Sequence, residues 1–428
     1  MDDGGDEVGD STKVTPSVRS GRFTTLDRRT WIRLGLVVLA CLGALGANAA
    51  FGRGYRFFDM LIYHDAVAWW LGGGDLYAFT EPRYGLGFTY PPFSAILLLP
   101  ITLMSGTAAG WINFAAGLVV ATVVAWWLLG PVAARYGWPR WYAVALAVPI
   151  VAATDPVRET LGYGQVNLIL LGLIFADLVA LRNGYRWAGV GVGLAAAIKL
   201  TPALFIVYFA VSRQGRAALT AAGTAAAATL LGFLVTPSVS WEYWTGVLWD
   251  TQRVGQTDLT PNQSLAGWLA RLYDQGTTPR LLWLAFGLLL LAVGISRAIA
   301  AHREQDELTA FTLVGLTTVA LSPVSWTHHI VWIAPALLVL GDTALHHRSW
   351  RYGLATIASY AIFVTSPMWW YEHKFESHWA DGFHGMLIEN AFIVVVVVLI
   401  AALPWRPGVD PVYQRFPGRR LDPVPHAW

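Results

Sequence analysis

Long apolar stretches, separated by short clusters of arginine, proline and glycine, run almost the whole length of the chain. The first covers 31–51. Others follow near 108–130, 140–153, 165–181, 187–198, 201–212, 217–235, 281–300, 307–321, 328–342, 350–366 and 386–404. Apolar runs of this kind cross a bilayer as helices, because only a helix satisfies its own backbone there. The pattern predicts an all-α polytopic membrane protein with about twelve transmembrane helices. The run Phe93–Met104 is short and reads as an interfacial helix. The pair 187–198 and 201–212 admits a second threading, one span broken at Lys199–Pro202 with 93–104 then crossing. The total stays at twelve in both.

The loop after the first span is too well patterned to be a linker. It reads YRFFDMLIYHDAVAWWLGGGDLYAFTEPRYGLGFTYPP from Tyr55 to Pro92. Apolar residues recur at helical spacing (Leu61, Ile62, Val67, Trp70, Leu71) until three glycines stop the segment. This predicts a short amphipathic helix lying on the membrane surface, with Asp59 at its start.

Composition agrees with the pattern. Hydrophobic residues make up 55% and charged residues 13%, with a mean hydropathy of +0.49, against about 25% charged in a soluble domain. Many of the 22 tryptophans suit the headgroup zone. Cys41 is the single cysteine and lies within the first span, which excludes an intramolecular disulfide and a cysteine-based metal site. The net charge of +2 says nothing about nucleic acid, and its distribution matters more; no nucleic-acid partner is expected. Residues 1–30 read as a disordered tail, acidic then basic, and not as a signal peptide. Residues 31–404 form one transmembrane domain, with outer segments at 52–92 and 236–280, and 405–428 form a second tail.

Arginine pairs fall in alternate short loops, at Arg135/Arg140, Arg182/Arg186, Arg213/Arg216, Arg297/Arg303 and Arg348/Arg351. By the positive-inside tendency, these loops and both termini are cytoplasmic, and the Asp59 loop faces outward.

Polar side chains inside lipid mark function by default. Beyond Asp59, four clusters qualify: Asp155-Pro-Val-Arg158-Glu159 with Gly164-Gln165-Val-Asn167; Lys199-Leu-Thr201-Pro202; Thr260-Pro-Asn262-Gln263-Ser264; and Ser322-Pro-Val-Ser325-Trp326-Thr-His328-His329. The first threading, favoured because it alone keeps the arginine pairs inside, brings all four to the face carrying Asp59. Each also has an ordinary explanation: Asp59 as a helix cap, Gln165 and Asn167 as glue between helices, Lys199 snorkelling to an interface, Asn262-Gln263 as turn chemistry, the histidine pair as structural. A zinc site is not indicated. Neither a Walker nor a Rossmann glycine motif is present, and no DxD-like pair is placed to hold the metal of a nucleotide sugar. A polar stretch (Glu372, Lys374, Glu376, His378, Asp381, His384) reads as an outer loop for a substrate headgroup.

The early outer-loop Asp, YPP at Tyr90–Pro92, GQVN at Gly164–Asn167, KLTP at Lys199–Pro202, NQS at Asn262–Ser264 and SPxSWxHH at Ser322–His329 occur in that order. The set resembles glycosyltransferase family 87 of the GT-C class, the actinobacterial polyprenol-phosphate-mannose-dependent α-(1,2)-mannosyltransferases, and covers about residues 55–335. The resemblance implies a GT-C fold in the plasma membrane, a polyprenyl-phosphate-mannose donor and a lipid-linked acceptor. A phosphatidylinositol mannoside is that acceptor, or a lipomannan in a branching enzyme of the same family. It further implies that Asp59 matches the catalytic acid and that His328 and His329 match the donor-phosphate region.

The resemblance implies a β-linked donor and an α-product, hence one inverting displacement, needing a base on the acceptor hydroxyl and charge stabilisation at the departing phosphate. Asp59 is the expected base. His328, His329, Lys199 and Arg158 are the expected cations at the phosphate, with Gln165, Asn167, Asn262 and Gln263 as neutral donors. Tyr63, Asp65, Glu81 and Arg83 are the acceptor-side candidates. Metal and cofactor are expected to be absent, and the chain to act as a monomer. Two other classes compete: a secondary transporter, which also binds ligands at broken spans, and a non-catalytic subunit of an envelope complex. No internal repeat favours the transporter.

Overall fold

The structure is a computed structural model and describes residues 27–272, 278–371 and 382–409. The two tails therefore lie largely outside the described residues. So do Glu372, Lys374, Glu376, His378 and Asp381 of the headgroup-loop expectation, while His384 is exposed on the helix Gly382–Glu389.

Among the described residues the chain is helical throughout, with one isolated antiparallel bridge, Asn262 to Trp326. Each of the twelve apolar segments is occupied by helix. Four helices are long and apolar enough to cross a membrane: Arg28–Phe51, Gly106–Arg135, Gly215–Val235 and Arg280–Arg303. The number rises to six if two bent pairs each form one span: Asp155–Tyr163 with Asn167–Arg182, bent by 115°, and Gly382–Glu389 with Ala391–Ala402, bent by 74°. Arg140–Ala152, Glu307–Leu321 and Ile333–His346 are apolar but shorter. Periodicity foresaw twelve apolar segments, but several are cut short by prolines and glycines that break helices.

Glu307–Leu321 is the axis of the core, buried on every side from Glu307 to Ala320. Its threonines fold back onto their own helix: Thr312, Thr317 and Thr318 donate to the carbonyls of Leu308, Leu313 and Val314. That satisfies the hydroxyls without partners elsewhere. Gly315 lets the Trp332 ring lie against the backbone, where a Cβ would stand 2.0 Å from it. At the N-terminal end of this helix, Arg406 bridges Asp306 and Asp342, and Arg135 joins Asp342 at 2.9 Å. The opposite end, about 22 Å away for 15 residues, opens into the Ser322–His329 loop.

A helix follows the first span at Phe58–Leu71, where one was expected. It buries Met60, Ile62, Tyr63, Ala66 and Val67, yet also exposes Trp69 and Leu71. It is thus apolar around most of its circumference and does not divide into two faces as its periodicity predicts. The reason is that Asp59 and Tyr63 both point into protein. The short segment after Pro91 is also helical, Pro92–Leu98, followed by a 3-10 turn at Leu99–Leu103.

Candidate active site

The residue before the outer helix decides where its acid points. Arg56 and Phe57 both adopt left-handed backbone, at φ 46° and 56°, a conformation that side-chain-bearing residues rarely take in succession. The turn is held because Phe57 N–H donates to the Gly162 carbonyl at 2.9 Å. The Phe57 ring sits where a Cβ on Gly110 would be. Phe57 is the N-cap and no side chain caps the helix. The carboxylate of Asp59, the second residue of the helix, makes no cap and is free for other partners, so the capping explanation does not apply.

Those partners come from the kink between Asp155–Tyr163 and Asn167–Arg182. Gly164 ends the first helix at φ 73°, packed against Met60, and turns the chain so that Gln165 and Asn167 head the second. Gln165 Nε2 donates to Asp59 Oδ2 at 2.7 Å. Tyr63 OH donates to Tyr90 OH, and Tyr90 OH donates to Gln165 Oε1, both at 2.9 Å. Asp59 keeps 17% of its side chain exposed. Burial still raises its carboxyl above the ordinary range, opposed by His328 and by the Gln165 hydrogen bond.

The two histidines part company. Their rings lie at 87° to each other with centroids 4.6 Å apart. His328 turns to the acids: Nε2 is 4.0 Å from Asp59 Oδ2 and Nδ1 is 3.8 Å from Glu159 Oε2. Burial pushes His328 down to about 4, so its ring is neutral at physiological pH. His329 turns away, to Lys199. Trp326 N–H donates to His329 Nδ1 at 3.2 Å, which leaves the ring hydrogen on Nε2. That nitrogen is 3.0 Å from Lys199 Nζ, which also donates to Asn167 Oδ1 at 3.2 Å. Lys199 is thus left either to give up a proton or to share an anionic oxygen with His329. The buried hydroxyl of Ser325, with no hydrogen-bond partner, lines the same cavity with Asn167, Lys199 and His329. Beyond that polar end the cavity is apolar, walled by Leu170, Leu171, Phe205 and Trp332.

The other expected site residues are placed differently. Arg158 is buried behind the kink, donating to Asp155 Oδ1 at 2.8 Å and to the Ala153 carbonyl at 2.7 Å. Asn262 accepts from Ser325 N–H and donates to the Thr257 and Pro323 carbonyls. Gln263 donates to the carbonyls of Thr260 and Glu389 and accepts from Phe392 N–H and Ile393 N–H. Both amides thereby brace the Ser322–Ser325 loop and its neighbours. Asp65 is exposed and pairs with His64 at 2.7 Å. Glu81 accepts from the backbone N–H groups of Arg83 and Tyr84, and Arg83 lies over the Tyr84 ring, whose edge meets Phe58 beside Asp59. Sequence reasoning did not single out Tyr90, Thr160, Thr327 or Glu159 as site residues. Of these Tyr90, in its YPP run, and Glu159 and Thr327, each inside a polar cluster, carried a local signal, and Thr160 carried none. Among the described residues, no three His, Cys, Asp or Glu side chains are grouped to hold a metal ion.

The model of glycosyltransferase family 87 matches residues 88–323. The chain is 33% identical to the polyprenol-phosphate-mannose-dependent alpha-(1-2)-phosphatidylinositol mannoside mannosyltransferase of Mycobacterium tuberculosis, over 92% of this chain and 97% of that protein. It is 36% identical to the protein of the same name from Mycolicibacterium smegmatis, over 80% and 83% of the two chains. It is also 33% identical to the alpha-(1-2)-phosphatidylinositol pentamannoside mannosyltransferase of M. smegmatis, over 71% of this chain and 74% of that one. No solved structure matches the chain. A family match over more than half the sequence, with relatives aligned along nearly its full length, places this membrane protein in glycosyltransferase family 87.

Proposed function

We propose that the protein transfers mannose from polyprenyl-phosphate-mannose to a phosphatidylinositol mannoside, forming an α-(1,2) linkage with inversion at the outer face of the plasma membrane. One observation carries the reading: an acid and a lysine–histidine pair meet at one end of the bundle, beside a cavity that is polar at one end and apolar beyond.

In this reading Asp59 is the general base. The acceptor hydroxyl loses its proton to Asp59 as its oxygen attacks C1 of the mannose. The C1–O bond to phosphate breaks, and its electron pair leaves with the polyprenyl phosphate. Lys199 and His329 Nε2–H, whose nitrogens lie 3.0 Å apart, receive that phosphate. Asn167 and Ser325 add neutral polar groups to the same cavity, and its apolar walls suit the first units of the lipid. Gln165 orients the base. Arg158, Asn262 and Gln263 support the site through the backbone. The turn at Glu81–Tyr84 flanks the acceptor side.

The two ends of the helices support this sidedness. Gln165 heads the helix that finishes at Arg182, and the Ser322 loop follows the helix that begins next to Asp306 and Arg406. The arginine-rich end is thus opposite the site, which favours cytoplasmic termini, an outward-facing Asp59 and twelve crossings in all.

The test is a reconstituted assay with the purified chain, radiolabelled polyprenyl-phosphate-mannose and acceptors of increasing mannose number. Transfer of label to the glycolipid is expected. Flux of a solute without any transfer would favour the transporter class instead. Turnover restricted to lipomannan would move the acceptor to the branching enzymes of the family.

A further inference from the structure

Glu159 has no role in the reading above, yet it stands directly behind the base. It is fully buried on the helix Asp155–Tyr163. Its Oε2 accepts from the Thr327 hydroxyl and lies 3.8 Å from His328 Nδ1, while its Oε1 is buried with no hydrogen-bond partner. On the far edge of the same imidazole, Nε2 is also buried without a partner, 4.0 Å from Asp59 Oδ2. The backbone that carries this ring is held in place. The His328 carbonyl accepts from Thr160 Oγ1 and from Asn167 Nδ2, both at 2.9 Å. His328 is therefore suspended between two carboxylates.

A neutral imidazole carries one N–H, and the group facing one nitrogen decides what the other can do. A carboxylate beside Nδ1 selects the tautomer with its hydrogen there and leaves the Nε2 lone pair directed at Asp59. We propose that Glu159 is a positioning residue: it holds His328 in the Nδ1–H form, so that Nε2 accepts a hydrogen bond from Asp59 once that carboxyl has taken the acceptor's proton. The proton goes no further than Asp59, and the electron pairs move as in the displacement described above. The two gaps are 3.8 and 4.0 Å, and contacts of this kind commonly tighten in the Michaelis complex. The inference rests on the transferase reading with Asp59 as base.

The charges around this axis set the expected pH response. Glu159 faces Thr327, Arg53, Arg158, Asp155 and Asp59, while Asp59 faces His328, Lys199 and Gln165. The near-isosteric Glu159→Gln replaces the oxygen beside Nδ1 with an amide. That amide can donate to Nδ1, moving the ring hydrogen to Nε2, where it points at Asp59 and favours the ionised carboxylate. The change makes Asp59 a weaker base.

The test compares steady-state kinetics of the full chain and its variants in the same reconstituted assay. Glu159→Gln should lower kcat by about 10²-fold, the scale of a disabled proton-transfer group, with KM for donor and acceptor unchanged. The acidic limb of its kcat/KM profile should move to lower pH, a shift that a packing role alone would not produce. Thr327→Val removes only the hydroxyl that anchors Glu159 and should lower kcat by about tenfold, again at constant KM; it decides the matter if the glutamine variant does not fold. Unaltered kcat in either folded variant, or an unmoved acidic limb in Glu159→Gln, overturns the inference while leaving the transferase reading intact. No turnover by the unmodified chain overturns both.

Discussion

Gln165 Nε2 lies 2.7 Å from Asp59 Oδ2 across 106 residues of chain, and Tyr90 decides that nitrogen, not oxygen, points there. The Tyr90 hydroxyl donates to Gln165 Oε1 and receives a hydrogen bond from Tyr63, so the relay has one direction. Tyr90→Phe removes the donor that fixes the amide. Transfer should fall by about 5–10-fold, the scale of one hydrogen bond, without loss of fold. Steady-state rates beside a thermal melt would check it.

Asp59→Ala should leave a folded protein with turnover reduced about 10²–10⁴-fold. The thermal midpoint should hold, because the substitution removes a carboxylate that burial disfavours and breaks no helix cap. Near-normal transfer by a purified, folded variant would remove Asp59 from the chemistry.

The pH response follows from the same burial. A general base must be ionised, and burial raises the Asp59 carboxyl above its ordinary value of about 4. Activity should therefore be present above that raised pKa and fall as pH drops through it. The acidic limb of kcat/KM should sit above the range of an exposed carboxyl; a limb at or below that range would contradict the assignment.

Lys199→Met retains length and loses charge at the nitrogen 3.0 Å from His329 Nε2. KM for the lipid-linked donor should rise by more than about tenfold, from loss of a charge-assisted contact, with the acceptor KM little changed. Chelators should leave the wild-type rate unaltered, since the lysine–histidine pair meets the phosphate charge. Inhibition by EDTA that added metal restores would count against that reading.

Gly164→Ala tests the kink. The residue has φ 73°, and a Cβ there would stand 2.6 Å from Met60 Cβ. The left-handed conformation alone costs about 1–2 kcal/mol with a side chain. Met60 adjoins Asp59 and Gln165 adjoins Gly164, so relaxation should separate base and amide. A loss of kcat larger than the loss of thermal stability is expected.

Much of this was legible along the chain. A lysine in the apolar stretch before Pro202, and a histidine pair opening another, were visible because lipid makes such groups costly. The partners were not. Lys199 meets His329 across 130 residues, and no local pattern says that this histidine, rather than His328, takes the lysine. Asn262 and Gln263 were as conspicuous as Gln165, yet Asn262 closes on the Ser322–Ser325 loop and Gln263 on the start of the helix Ala391–Ala402. Glu159 looked like one acid among several in a polar cluster. Its setting emerges only when the Gly164 turn lays its helix against the Thr327–His329 segment.

Hydrophobic periodicity alone determined that this is a helical membrane protein, because burying backbone in lipid leaves few alternatives. Its polar exceptions marked the chemistry. Only the tertiary structure decided which exceptions touch, since a contact across a hundred residues depends on where a kinked helix and a left-handed turn aim their side chains. That direction is a property of packing, not of order along the chain.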